Sequence, residues 1–473
     1  MTLRRYATAA ALATTALFPL NLSAQDLPAQ AGENDEMSAL RAELAALAAR
    51  VESLEGELAV ARAAQPDNAT GTAPVLADAG SGRVPESPPS VTTENDTEEK
   101  PNAAISFKGA PLIELGGGWS FKPRGRLNFD AGFVSAPDST GAPDGFGSEV
   151  RRARLGVEGT IPGGFGYKFE VDFAGNEAEL TDALLYYSNE ALSITAGQHN
   201  NFQSMEELTS SRFTSFIERA AFTDAFNFER RLGLSAQFAT GDVIVQAGAF
   251  TDNTGDLPGK NHSFDGRAVW LPTFGNAQLH LGGSVHFTDL QDEESVRYRQ
   301  RPLVHFTSTR FIDTRTIQAT SEFGYGAEAA YISGPFHAAG EAFWQKANRP
   351  GDLGDPTFFG GYAEAGIFLT SGDTRGYKNG QFDRVKPARE VGEGGLGALQ
   401  LVARYDYLDL NDADIVGGMQ NGYLLSLIWT PTDYTRLLLN YGRLAYDDSI
   451  IPRENGDTDY SVDSFGVRAQ IDF

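Results

Sequence analysis

The stretch Asp459-Tyr460-Ser461-Val462-Asp463-Ser464-Phe465-Gly466-Val467-Arg468-Ala469-Gln470-Ile471-Asp472-Phe473 decides the fold. From Phe465 it alternates strictly. Phe465, Val467, Ala469, Ile471 and Phe473 point one way, and Gly466, Arg468, Gln470 and Asp472 the other. A strand repeats every two residues, so this is one apolar face and one polar face. A dyad-patterned strand that ends on an aromatic residue, in a chain with a leader-like start, predicts an all-β chain. Its expected form is a closed transmembrane antiparallel β-barrel.

The same pattern recurs upstream. In Trp119 to Val134, Phe121, Leu127, Phe129, Ala131 and Phe133 share one face, and Lys122, Arg124, Arg126, Asn128 and Asp130 the other. Phe165 to Phe173 repeats it, with Lys168, Glu170 and Asp172 on the polar side. Further segments fall around 182–197, 231–239, 242–250, 263–270, 277–288, 323–332, 336–345, 360–370, 396–408, 420–430 and 435–446. Each is close to the roughly 9–11 residues that cross a bilayer at a tilt. Turn signals such as Ser333-Gly334-Pro335 separate them. The segments number about 16, an even count as single-chain bacterial barrels require. A soluble sandwich also alternates, but it buries the apolar side. A wide barrel turns that side to lipid and the polar side to a water-filled lumen. Large aromatics at strand ends, including Tyr187, Trp270, Trp344, Tyr405, Tyr407, Tyr423 and Trp429, fit interfacial girdles and favour the barrel.

Residues 1–24 read as a signal peptide: basic Arg4 and Arg5, an apolar centre, and Leu22-Ser23-Ala24 before the expected cut. That places the barrel in the outer membrane of a Gram-negative-type envelope, with the N-terminal segment in the periplasm. Residues 25–65 predict a coiled-coil helix. Leu40, Leu44, Leu47, Val51, Leu54 and Leu58 are spaced alternately by four and three, which is a heptad seam. Residues 66–103 are a Pro-, Ser- and acid-rich linker that cannot bury enough apolar area to fold. The barrel is expected over 104–473. The coil either aids assembly of several copies or tethers the barrel to the cell wall.

With no cysteine among 473 residues, disulfide frameworks and thiolate chemistry are excluded. A formal charge of -25 argues against nucleic acid as a partner. No His-Glu-x-x-His is present, and no Gly-x-Ser-x-Gly lies between a strand and a helix, so neither hydrolase pattern is met. His280 and His286 are expected to point inward, away from any site on the outer wall. No catalytic residue, metal site or cofactor is expected.

Five stretches, in order, resemble the phosphate-selective porin O and P family. They are Arg151 to Thr160; Gly197-Gln198 through Glu206 to Arg212, with Glu218-Arg219 and Arg231-Leu232-Gly233; Gly361 to Tyr377; Leu401 to Tyr405 with Leu408-Asp409-Leu410; and Asn440-Tyr441-Gly442. The resemblance covers roughly 119 to 473. It implies a 16-stranded trimeric outer-membrane porin, narrowed by inward loops and lined by arginines that pass phosphate-like anions. One departure follows Gly197-Gln198, where the family often has a Lys and a Pro and this chain has His199, Asn200, Asn201 and Phe202.

The candidate anion pathway follows from the polar faces. Arg124 and Arg126 lie two apart on one strand, Arg152 and Arg154 on the next, and Lys168, Arg231 and Arg404 on others. Fixed guanidinium donors replace water around an anion step by step. A second reading stands beside this one: the cations neutralise lumen carboxylates Asp130, Glu158, Glu170, Asp172 and Asp406. The segment 202–230 is too long for a hairpin turn and is the expected constriction loop. In it, the resemblance assigns anion binding to Ser211 and Arg212, and Arg219 either joins them or locks the loop through Glu218 or a wall carboxylate. The basic run Arg297 to Arg301, within 289–322, is expected either as an outer anion funnel or as a solvated loop.

Overall fold

The computed structural model describes residues 104–107, 109–255, 261–291 and 295–473. The expected leader, coil and linker lie outside these residues. Sixteen antiparallel strands form the barrel: β1 (Trp119–Ser135), β2 (Gly145–Ile161), β3 (Phe165–Asp172), β4 (Glu179–Ser188), β5 (Leu192–Asn200), β6 (Arg230–Thr240), β7 (Val243–Phe250) and β8 (His262–Trp270) make the first half. The second half is β9 (Ala277–Asp289), β10 (Ser321–Ser333), β11 (Phe336–Asn348), β12 (Thr357–Phe368), β13 (Ala398–Asp412), β14 (Ile415–Thr432), β15 (Thr435–Asp447) and β16 (Tyr460–Asp472). Each strand pairs with its neighbours in sequence, and β16 pairs back onto β1 through Asp463↔Ser135 to Asp472↔Arg126. The sheet therefore has no open barrel edge, as a spanning β-structure requires.

The stretch 182–197, expected as one segment, is two strands. Asn189 turns the chain between them: its side-chain oxygen accepts from the backbone N–H of Ala191 at 3.1 Å and Leu192 at 2.8 Å. An Asx turn reverses the chain here with neither Gly nor Pro, so the usual punctuation was missing.

Exposure is inverted relative to a soluble protein. Leu127, Phe129, Phe133, Leu155, Leu234, Leu425 and Ile471 are exposed, whereas Arg126, Asn128, Asp130, Arg468 and Asp472 are buried toward the interior. Aromatics ring the outer wall. Tyr325 stacks on Trp344 at 5.2 Å, Trp344 meets Phe359 at 5.0 Å, and Phe359 meets Tyr407 at 5.8 Å, across four consecutive strands. His280 and His286 point inward, as expected.

One end of the barrel carries mostly short turns, at 162–164, 189–191, 241–242, 334–335 and 433–434. The long connection 369–397 is an exception at that end. The other end carries the long segments 201–229 and 290–320. All three of these fold into the lumen. At the seam, Gly125 and Phe473 exchange backbone hydrogen bonds of 3.1 and 3.0 Å. A Cβ at Gly125 would collide with the Phe473 ring. The variant Gly125→Leu should displace that ring at a cost of about 1–3 kcal/mol, seen as a lower midpoint for the heat-induced mobility shift on gels.

Candidate anion pathway

The site begins with how the loop 201–229 is held. An irregular backbone inside a barrel needs partners for its N–H groups. Wall carboxylates and amides supply them. Glu341 on β11 accepts from Met205 N at 2.9 Å and Glu206 N at 2.7 Å. Asp406 on β13 accepts from Ala221 N at 3.0 Å, and Asn440 on β15 accepts from Ile217 N at 2.7 Å. Glu364 on β12 accepts from Ser215 Oγ at 2.7 Å. Aromatic packing completes the seat: Phe222 stacks on Phe343 and Tyr362, with Phe226 and Phe228 beside them. The segment therefore folds into the barrel, as its length led one to expect, and is not a surface loop. Its signal was in the wall: Phe343, Phe358, Leu408, Leu424 and Leu444 are apolar on the lumen side, where the dyad pattern calls for polar residues.

The loop is seated on β11–β15, and the candidate pathway cations lie mostly on the opposite wall, β1–β6. Arg124 on β1 pairs with Glu158, and Arg154 on β2 pairs with Asp172 at 2.7 Å and Glu170 at 3.3 Å. Lys168 and Arg230 share Asp182, at 2.8 and 3.1 Å. Arg126 donates to Ser211 Oγ at 2.5 Å and stands 3.9 Å from Glu170, so it reaches from the wall to the loop tip. Arg212 lies beside Ser211, 3.6 Å from Asp472. Burial pushes its guanidinium pKa down, and neighbouring Arg124 adds to the effect. In this cluster Lys122, Arg124, Arg126, Arg154, Lys168, Arg212, Arg230 and Arg384 face Glu158, Glu170, Asp172, Asp182 and Asp472, which leaves positive charge in excess.

Arg384 comes from the connection 369–397, which the sequence reading left unplaced although its Gly361 to Tyr377 motif was noted. This segment turns inward. Gly380 O accepts from Arg267 at 2.7 Å, Tyr377 OH meets His280 Nδ1 at 2.6 Å, and Phe382 N donates to Thr209 Oγ1 at 3.2 Å. It brings Arg375, buried against Phe382 and bonded to Phe213 O, and Arg384, bonded to Asp472, up to the tip of the 201–229 loop.

On the other side of that loop, a cavity of about 160 Å³ is lined by Arg151, Arg152, Arg219, Arg301 and His305, and by Glu207, Glu218, Asp224 and Asp406. Arg152 is buried, and its Nε and Nη1 have no hydrogen-bond partner. The segment 290–320 forms part of this cavity. It is neither an outer funnel nor a solvated loop: Tyr298 and Gln300 are buried, and Arg297 and Arg301 are taken up by Asp313 and Asp224.

The remaining predicted residues fare differently. Arg404 is not on the passage. It is sealed behind the loop between Glu206 at 2.9 Å and Glu364 at 2.7 Å, with its guanidinium over Phe216 and Tyr362. Arg219 locks the loop on itself: it donates to the carbonyls of Glu206, Glu207 and Thr209 and pairs with Glu207 at 3.3 Å, not with Glu218. Arg231 stands 3.5 Å from Glu229 and 4.0 Å from Asp252. Arg151 was missed. The β1–β2 register shifts between Asn128 and Phe129, so Val150 pairs with Phe129 and Arg152 with Asn128. The extra residue of this bulge is Arg151, and it turns inward to grip Glu218 at 2.9 and 3.1 Å.

Glu218 is also held by Arg468 at 3.0 Å. Burial alone would raise its pKa, but Arg151, Arg152 and Arg468 overcome this and hold it well below the usual 4.5. A carboxylate with a depressed pKa contributes its full anchoring above the ordinary value and loses it only as pH falls through the depressed one. Single-channel current should therefore be as quiet at about pH 5 as at about pH 7, and Glu218→Gln should flicker at both.

Three comparisons bear on the whole. The model of the family "Phosphate-selective porin O and P" matches residues 121–473. The chain is 44% identical over 460 residues to an uncharacterised protein of Caulobacter vibrioides, covering 93% of this chain and 91% of that protein. It is 24% identical over 402 residues to Porin O of Pseudomonas aeruginosa, covering 75% of this chain and 89% of that one. The solved structure of outer-membrane expressed OmpT of Vibrio cholerae superposes with a TM-score of 0.50 at 11% identity, over 76% of this chain and all of OmpT, a likeness of fold alone. With a closed 16-stranded barrel, inward loops and a family match across nearly the whole of it, this chain belongs to the phosphate-selective porin O and P family and is an outer-membrane porin.

Proposed function

We propose that this porin passes phosphate-like anions passively, as a homotrimer, with no cofactor or energy source. The observation that carries the reading is the excess of cations between the β1–β6 wall and the loop tip, with Arg126 in contact with Ser211 and Arg212 beside it. A guanidinium cannot lose its charge under physiological conditions, and its forked donors match tetrahedral oxyanions. Ser211 adds a hydroxyl at the same point. An anion entering here exchanges its water for Arg126, Arg212 and Ser211, with Arg152 on one side of the loop and Arg124, Arg154 and Lys168 along the wall. Arg231 and Arg219 act through the loop rather than at the anion. Arg404, behind the loop, holds the constriction in shape.

One observation favours a broader pore. Arg124, Arg154 and Lys168 each have a carboxylate within hydrogen-bonding reach, so their charges are largely compensated. The position after Gly197-Gln198 is also neutral, with His199 bound to Ser235 at 2.7 Å and to Gly197 O at 2.9 Å. In that reading the pore passes anions or other small solutes broadly, without distinguishing phosphate.

Single-channel recording in a salt gradient, with phosphate added to chloride, separates the two. Anion-selective reversal with block of the chloride current by millimolar phosphate or less supports the phosphate reading. Arg212→Ala should then weaken the block by about tenfold, the loss of roughly one charge-assisted hydrogen bond. Anion selectivity without block supports the broader pore, and cation-selective reversal without block overturns the phosphate reading in favour of a general porin.

A further inference from the structure

The tip of the 201–229 segment has two sides. On one, Ser211 Oγ accepts from Arg126 of β1. On the other, three consecutive carbonyls are capped. Arg436 of β15 donates to Arg212 O with one Nη and to Thr214 O with the other, the second at 2.9 Å. Gln470 of β16 also donates to Arg212 O, at 3.2 Å. Arg375, from the connection 369–397, donates to Phe213 O between them. Arg375 and Arg436 are buried, at 3% and 6% exposure. Their remaining donors, Nε and Nη1 of Arg375 and Nε of Arg436, meet no acceptor among the described residues.

A buried charge is a costly way to cap a carbonyl, and a neutral amide does it without one, as Gln470 shows. What a guanidinium adds is its rigid fork. One planar group fixes two carbonyls two residues apart, and with them the orientation of the peptide between. Orientation matters here because of what the oxygens do to ions. Carbonyl oxygens that line a pore replace the hydration shell of cations. Three of them turned into the passage would offer cations a site beside Arg126 and Arg212. Held against β15, β16 and Arg375, they are kept from the β1 side. The Phe213 ring also lies under the guanidinium groups of Arg212 and Arg384, at 4.9 and 5.3 Å, so fixing Phe213 steadies both cations.

We propose that Arg436 and Arg375 are positioning residues for ion selectivity. They bind no solute. They hold the tip carbonyls behind the constriction, so that an ion passing on the β1 side meets the Ser211 hydroxyl and the Arg212 guanidinium instead of backbone oxygens. By alternation alone Arg436 is one more lumen cation, and its bonds place it at the back of the tip. The proposal rests on the anion-passing reading above and adds to it the groups that keep the constriction from accepting cations.

The test is the chloride-to-potassium permeability ratio of the full-length porin, taken from reversal potentials in a potassium chloride gradient. Each variant is first checked for the heat-shifted band of a folded barrel. Arg436→Lys keeps the charge and loses the fork, and should lower the ratio about fivefold without lowering the conductance. Arg375→Ala lies on a connection, outside the barrel wall, and uncovers Phe213 O alone, so it should lower the ratio about threefold. An unchanged ratio in Arg436→Lys with a lowered one in Arg436→Gln would mean that charge alone matters, and would overturn the clamp. Noisier or smaller currents at an unchanged ratio in all the variants would overturn it too, leaving both arginines as plain anchors. The ratio is read without phosphate. An unmodified porin that prefers chloride but is not blocked by phosphate therefore removes the phosphate reading and leaves the clamp to stand or fall on its variants. An unmodified porin that prefers potassium overturns the clamp as well.

Discussion

The interior of this barrel depends on wall carboxylates accepting hydrogen bonds from the inward loop, from its backbone N–H groups and from the Ser215 hydroxyl. Glu341, Asp406 and Glu364 hold the 201–229 segment against β11–β13 at points where water has little access. Their oxygens are directed at loop N–H groups, at Ser215 and at Arg404, and they lie behind the loop, away from the candidate passage. This explains how a chain of net charge -25 can have a passage with positive excess. A field in a narrow lumen is set by the groups that face it, and net charge is a poor guide to those.

Three segments fold into the lumen, and each is held by a different chemistry. The 201–229 loop is held by carboxylates and stacked aromatics. The 369–397 connection is pinned by Arg267 and by the His280–Tyr377 hydrogen bond. The 290–320 segment is buried by Tyr298, Val304 and Phe311 and fixed by Arg297–Asp313. The anchors of the first two segments fall on different strands, from β8 to β15, so the loops and the wall brace one another.

The strands were legible because alternation is local: each residue's face depends only on its neighbours. The strand over Phe465 to Phe473 and the inward histidines could be read this way, and the inward loop by its length alone. What failed was whatever depends on distant partners. Arg404 has the alternation of a pore-lining residue, and only the loop lying over it removes it from the lumen. Arg151 would have needed the bulge opposite Asn128 and Phe129 to be known. The Asn189 turn works through a side chain that a search for Gly and Pro passes over. The connection 369–397 is as long as the 201–229 loop, but its inward course depends on distant partners, with its arginines ending beside Phe213.

The seating of the 201–229 loop on one half of the wall divides the barrel by tolerance to change. Inward positions on β11–β13 serve as foundations, and a charge altered there unsettles the plug before it alters the solute. Inward positions on β1–β6 carry the cations of the candidate pathway, where Lys168 and Arg230 share one aspartate. Relatives with this architecture can therefore diverge in the solutes they admit by exchanging residues along a single arc of strands, while the other arc keeps the framework constant.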